Sequence, residues 1–282
     1  MNVLFIVVLF GKKPSDSTTL NSLKSLISNN DFNLVLVNNG PKKLNENERF
    51  FCHIKSLSKS CYCFNFLENR SLSKIYNKMF TDFPTYDRYV LLDDDTEINL
   101  EYLSVVFSKN NYDFHILTPL IIGNGVSYYP KLSGEIVRNK GREFDNSDDF
   151  LTVGSGLIIN KHLIKILTEN QLLPFDENFA LYGVDFSLFK RLKKLSKKGV
   201  NIKYQTAGYL HHNLSKTQQG YVEWRHIERL YDVVLTVKYY SKTVFHQLYF
   251  LGRILFNEFL NKRFHLLPLV VKIFFRGKHP RC

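Results

Sequence analysis

The chain has 282 residues, 44% hydrophobic and 23% charged, which supports one or two domains with a buried core and excludes a disordered chain, a collagen-like repeat or a small disulfide scaffold. Its net charge of +12 is unevenly placed: residues 1–189 carry 19 Lys and Arg against 22 Asp and Glu, whereas residues 190–282 carry 19 against 4. A neutral body with a basic last third is suited to meeting an anionic surface at one end.

Val3–Phe10 is β-branched and aromatic, ends at Gly11 and Pro14, and reads as a fully buried strand. Thr18–Ser28 follows as a helix, with Leu20, Leu23, Leu26 and Ile27 at helical spacing. Asn33–Val37 is a second strand, stopped by Asn38, Asn39, Gly40 and Pro41. Ser71–Phe80 reads as helical, and Tyr89–Leu92 is a buried strand that runs directly into Asp93, Asp94 and Asp95. Strands alternating with helices imply a parallel sheet covered on both faces, with ligands beyond the carboxyl ends of its strands. From about residue 111 the pattern is irregular; the strand Leu157–Ile159 then precedes helices near Lys161–Thr168 and Phe186–Leu195.

The last forty residues change character. Val244–Leu260 places Phe245, Leu248, Tyr249, Leu255, Phe256, Phe259 and Leu260 along one helical face, and a basic end follows. Apolar and basic groups in one helical segment describe an interfacial anchor on an anionic membrane surface. Nucleic acid is not expected, because no glycine-rich basic arm or recognised binding motif accompanies the charge. Neither Val3–Phe10 nor any other uncharged run has the length of a transmembrane span, and Val3–Phe10 lacks the flanks of a secretion signal. The four cysteines, Cys52, Cys61, Cys63 and Cys282, lack the second pair that a zinc site needs, so a reduced cytoplasmic protein is expected.

Chemistry concentrates at Leu91–Ile98, LLDDDTEI. Three consecutive carboxylates repel one another unless a cation neutralises them, and a hard divalent ion held against a diphosphate is the natural partner. Asp93 and Asp95 project to one side of an extended segment and can share that ligand. By itself an acidic strand end would also suit a phosphatase or a nucleotidyltransferase.

The order of the surrounding motifs resembles the family 2 inverting glycosyltransferases, a group that includes bacterial rhamnosyl- and galactosyltransferase-like enzymes, over about residues 3 to 240. VLFIVVLF with VLVNNG is similar to that family's opening strand and nucleotide-base loop, with Asn38 where the family has an aspartate. ENRSLSKIYNKM is similar to its N-x-G segment, matching Asn69 and Asn77, with Ser71 in place of the glycine. LLDDDTEI matches its D-x-D motif, VGSGLIIN its acceptor-side strand, LPFDENFALYGVDFSLFKRLKK its catalytic-base segment, and YLHHNLS its H-x-x-S element.

The resemblance implies an α/β protein with a GT-A fold, Rossmann-like with a mostly parallel sheet, forming a transferase domain, 1–240, with a nucleotide-binding half (1–110) and an acceptor-binding half (111–240). The apolar and basic pattern of the last forty residues adds a C-terminal amphipathic helical tail, 241–282. The resemblance implies a donor site at Phe10, Asn38, Asn69, Lys74, Asp93 and Asp94, and an acceptor site at Gly154, Ser155, Gly156, Asp176 and Glu177. Asp185 is the implied catalytic base, with Asp176 and Glu177 as alternatives, and Asp95 and His212, with His211 beside it, are the implied ligands of Mg²⁺ or Mn²⁺.

The expected reaction moves a sugar, with inversion, from a UDP- or dTDP-sugar to a hydroxyl of a capsule or lipopolysaccharide glycan, free or lipid-linked. The expected place is the inner face of the bacterial cytoplasmic membrane, bound peripherally. A metal-dependent nucleotidyltransferase, or a non-catalytic glycan- or membrane-binding module on the same fold, are the alternatives.

Overall fold

The computed structural model describes residues 1–27, 32–110, 113–212 and 220–282. Its first half alternates strand and helix: β1 (Val3–Leu9), α1 (Thr18–Leu26), β2 (Asn33–Asn38), α2 (Arg49–Leu57), β3 (Ser60–Asn65), α3 (Leu72–Asp82) and β4 (Arg88–Asp93). The short β5 (Thr96–Glu97), α4 (Leu100–Phe107), β6 (Ile116–Gly123) and β7 (Val126–Tyr129) follow. An excursion of two-to-three-residue strands, β8 (Lys131–Leu132), β9 (Glu135–Ile136), β10 (Glu143–Asp145) and β11 (Phe150–Leu151), leads to β12 (Leu157–Asn160) and α5 (Lys161–Glu169). The chain then forms α6 (Val184–Ser196), β13 (Lys203–His212), α7 (Glu223–Tyr240), α8 (Val244–Leu260) and α9 (Leu267–Arg276).

The main sheet runs in the order β10-β13-β6-β12-β4-β1-β2-β3. Strands β4, β1, β2 and β3 are parallel, as are β6 and β13, while β12 lies antiparallel between β4 and β6. The sequence-based expectation of a parallel sheet therefore holds for the first half, and the antiparallel β12 makes the whole sheet mixed. From β1 the chain builds outward through β2 and β3, then returns to β1's other side as β4. That reversal makes the carboxyl ends of β1 and β4 a topological switch point, the place where open α/β sheets bind ligands.

Both faces are covered because β1 is apolar at every position and alternation sends its side chains to opposite sides. Leu4, Ile6 and Val8 join a cluster with Ile75 and Met79 of α3, Leu188 and Leu192 of α6 and Val234 of α7. Val3, Phe5, Val7 and Leu9 join a second cluster with Leu20 and Leu23 of α1, Ile54 of α2 and Tyr102 and Val106 of α4.

One expectation is corrected. The stretch after residue 111, which reads as irregular, contains the buried strand β6, whose pattern Pro119 interrupts. Proline has no N–H to give the ladder, and the partner strand β13 accommodates it with a register shift between Thr206 and Tyr209. Past residue 240 the tail shares its packing with the body. Leu266, Val270 and Ile273 enter the same core cluster as α3 and α6. Beyond α9 the chain returns to the body, where the His279 N–H donates to the Asn178 carbonyl at 2.9 Å and the Tyr239 hydroxyl donates to the Gly277 carbonyl at 2.6 Å. Within the tail, α8 presents a largely exposed face.

Candidate active site

The site forms at the switch point, where β4 releases the chain into the turn from Asp93 to Thr96. Thr19 of α1 braces that turn from behind: its hydroxyl donates to the Asp93 carbonyl at 2.5 Å and accepts from the Thr96 N–H at 3.0 Å. Ser155 braces it from the front, its Oγ accepting the Asp93 N–H at 3.0 Å and lying 2.5 Å from the Thr96 hydroxyl. Across the turn, β5 pairs antiparallel with the end of β13, so that Thr96 stands opposite His212. This pairing brings a histidine 116 residues distant in sequence to the triple aspartate.

The three aspartates face different ways. Asp94 turns back to the loop after β1, accepting from Lys12 Nζ at 2.5 Å and from the Phe10 N–H at 3.3 Å. Asp93 and Asp95 face His212: Asp93 Oδ2 lies 3.8 Å from Nε2, and Asp95 Oδ1 lies 3.2 Å from Nδ1. His212 is 8% exposed, and its Nδ1 also lies 3.0 Å from the Thr96 hydroxyl. One potential ligand atom from each of Asp93, Asp95 and His212 falls within 4.8 Å of the others.

These residues fit a hard divalent cation. Asp95 Oδ1 is buried and has no aligned hydrogen-bond partner, a costly state for a carboxylate oxygen unless a ligand completes it. Two carboxylates and one imidazole suit Mn²⁺ or Mg²⁺ better than a thiolate-seeking metal, and the Thr96 contact at Nδ1 helps to fix the imidazole orientation.

Asp185 stands in the first turn of α6. Its carboxylate accepts the Gly154 N–H, and an added Cβ on Gly154 would come within 2.4 Å of Asp185 Oδ1. Burial, reinforced by the Asp93 carboxylate, pushes Asp185 up to about 7. Burial, with Asp95 and Asp94 adding to it, pushes Asp93 up to about 6. Burial disfavours a charged His212, but the Asp95, Asp93 and Asp185 carboxylates outweigh it and hold the imidazole above its ordinary value. The four groups are thus one electrostatic unit, with more negative charge than the protein neutralises.

The remaining sequence-expected residues divide between support and surface. Ser155 is 2% exposed and holds the β4 turn. Gly156, at φ +85, lets Leu210 and Pro119 pack against its backbone, and Gly154 makes room for Asp185. Asn38 is 1% exposed, and its amide is spent on the Lys42 carbonyl (2.7 Å), Asn65 Oδ1 (2.7 Å) and the Gly40 N–H (3.2 Å). These bonds give it a part in shaping the loop. Phe10 is exposed, with only its backbone engaged at Asp94.

Asn69 accepts from Arg281 Nη1 at 2.9 Å, and Lys74 Nζ donates to the Cys282 carbonyl at 2.5 Å; the returning chain end thus occupies both side chains expected at the donor. Asp176 accepts from the Tyr240 hydroxyl at 2.7 Å and pairs with Arg191 at 3.4 Å, while Glu177 accepts from Asn77 at 3.1 Å. Both acidic groups organise the loop before α6. His211 pairs with Glu97 in the ladder and is exposed. Asn213, Leu214 and Ser215 of the H-x-x-S element lie outside the described residues.

Thr19, Thr96 and Lys12 were not singled out by sequence reasoning. Lys12 and Thr96 had a signal in their placement, at the end of β1 and directly after the aspartates. Asp232 of α7 was also missed; its charge bears on Asp185, and it packs over Gly183, which starts α6 at φ +80.

No protein-family model matches the chain, and no curated protein does. Solved structures do. TarS of S. aureus aligns with a TM-score of 0.55 and 15% identity over 92% of this chain and 44% of its own. GalNAc-T7, solved with UDP, GalNAc and Mn²⁺, aligns at 0.54 and 14% over 84% of this chain and 47% of its own. The mannosyltransferase PcManGT of Pyrobaculum calidifontis, solved with GDP-Man and Mn²⁺, aligns at 0.55 and 13% over 96% and 73%. The chain spans less than half the length of the first two. Its switch-point topology and these alignments together show a GT-A fold.

Proposed function

We propose that the chain is a metal-dependent, inverting glycosyltransferase that moves a sugar from a nucleoside-diphosphate donor to a hydroxyl of a bacterial surface glycan, free or lipid-linked. The observation that carries this reading is the juxtaposition of Asp185 with the Asp93–Asp95–His212 cluster at the switch point of a GT-A sheet. Two of the similar structures hold a nucleotide or nucleotide-sugar together with Mn²⁺, which supports a nucleotide-sugar donor here.

Asp93, Asp95 and His212 would hold the cation, which when bound supplies positive charge against a departing diphosphate. Asp185 serves as general base. Its value near 7 leaves it able to accept a proton at neutral pH, where an ordinary aspartate would be a weaker base. The Gly154 N–H aims the carboxylate, and its place in the first turn of α6 fixes its distance from the cluster. Inversion requires the acceptor hydroxyl to attack from the side opposite the leaving group, and a single base on that side satisfies it.

The test is a panel of UDP-, dTDP- and GDP-sugars incubated with Mn²⁺ and an oligosaccharide acceptor, with product anomers read by NMR. Wild type should give an inverted glycoside and a nucleoside diphosphate. Asp185→Asn should lose transfer by about 10²–10⁴-fold while still binding the donor. Release of pyrophosphate would instead indicate nucleotidyl transfer, and a retained anomer would exclude the inverting route.

A further inference from the structure

Helix α8 is built inside out. On an ordinary surface helix the apolar stripe faces the core and the charged residues face water. In α8 the one fully buried residue is Glu258, at 1% exposure. Its carboxylate is tied down by His226 Nε2 at 2.9 Å and Arg263 Nη1 at 3.3 Å. Gln247, on the same side, donates to the Lys238 carbonyl at 2.8 Å. Leu251, Ile254 and Leu255 complete the inner side and are partly buried against the core.

The outward side is apolar. Phe245 is 84% exposed and Leu248, Tyr249, Phe256, Phe259 and Leu260 are each at least half exposed. At 100° per residue these six side chains fill one uninterrupted arc of roughly 120°. Phe259 continues it edge-to-face onto Phe264, with ring centroids 5.3 Å apart. A patch of this extent on a water-facing helix marks an interaction surface.

Charge identifies the occupant. Residues 244–282 contain seven Lys and Arg and a single acid, Glu258, which is already paired. Lys242, Arg253 and Lys262 are exposed on and beside α8, and the Arg253 guanidinium lies 5.8 Å from the Tyr249 ring. Two copies meeting through this face would bring like charges together, with no unpaired acid in residues 244–282 to answer them. An anionic lipid surface answers both features, accepting the aromatic arc below its headgroups and the cations among them.

We infer that the outer face of α8 docks on an anionic membrane interface, lying in its plane, with the Glu258 network holding the helix in that orientation. This surface is independent of the transferase chemistry and stands whether or not that reading does.

The full chain is mixed at moderate salt with vesicles of equimolar phosphatidylglycerol and phosphatidylcholine, or of phosphatidylcholine alone, and bound protein is measured by sedimentation. The expected result is partition onto the anionic vesicles. The double substitution Phe245→Ser and Phe256→Ser should weaken it at least about tenfold, with helix content unchanged. A second variant, Arg253→Gln with Lys262→Gln, should weaken it roughly fivefold per cation removed. Failure of the wild type to bind anionic vesicles overturns the inference. So does equal binding by the aromatic variant, and so does a wild-type dimer in solution that the aromatic variant dissociates, which would make the face a contact between copies.

Discussion

The carboxylate of Asp185 occupies the space that a side chain on Gly154 would need: an added Cβ would stand 2.4 Å from Oδ1, while the Gly154 N–H is the donor that aims that carboxylate. One residue thus supplies both the vacancy and the hydrogen bond, and only glycine does both. Gly154→Ala should displace Asp185 and lower kcat by about 10²-fold, the scale of an ångström-sized misplacement. Mn²⁺ affinity should hardly move, because the β4 turn does not depend on that Cβ. Paired measurements of kcat and of Mn²⁺ binding check this, and an unchanged kcat would remove Asp185 from the reaction.

Ser155 tests the support beneath the metal cluster. Its hydroxyl holds the Asp93 N–H and contacts Thr96, which in turn contacts His212. Ser155→Ala should loosen Mn²⁺ binding by about 10–100-fold. It should also cost about 1–3 kcal/mol of stability, since a buried N–H and a buried hydroxyl each lose a partner. Calorimetric titration with Mn²⁺ alongside urea unfolding reads both, and full Mn²⁺ affinity in the variant would show that the turn holds its shape without the serine.

The pH dependence follows from Asp185. A base must be deprotonated to act, so transfer should rise with pH below the value of that group and level off above it. That value is about 7 with Asp93 ionised nearby. A bound cation offsets the negative charge of Asp93, so at saturating Mn²⁺ the midpoint should fall below 7. A log(kcat/KM) profile from pH 5 to 8 should show one acid limb of unit slope, lost in the residual activity of Asp185→Asn. A flat profile in wild type would contradict the assignment.

How much of this was legible beforehand depends on how local each signal is. β1, β2, β4 and β12 stand out because strands buried on both faces are continuous apolar runs, and Asp93–Asp95 stand out because three adjacent carboxylates are costly. β6 was hidden by Pro119, and β13 by its polar residues and its register shift. The partnership of Thr96 with His212 has no local signal, because the topology of β5 and β13 creates it. Asn38 shows the opposite case: it stands at the matched position, yet its short amide satisfies the Gly40 N–H and the Asn65 side chain instead of reaching outward. The fold was readable from hydrophobic runs; the supporting shell of the site was not.

The most direct measurement is titration of UDP, dTDP and GDP into the full chain with and without Mn²⁺, for wild type and for Asp95→Asn. The account predicts that one nucleoside diphosphate binds wild type in the presence of Mn²⁺, and at least about tenfold more weakly when Mn²⁺ is withheld or Asp95 is replaced. Equal affinity with and without the metal, or an undiminished affinity in Asp95→Asn, would contradict the Asp93–Asp95–His212 centre and the transferase reading built on it.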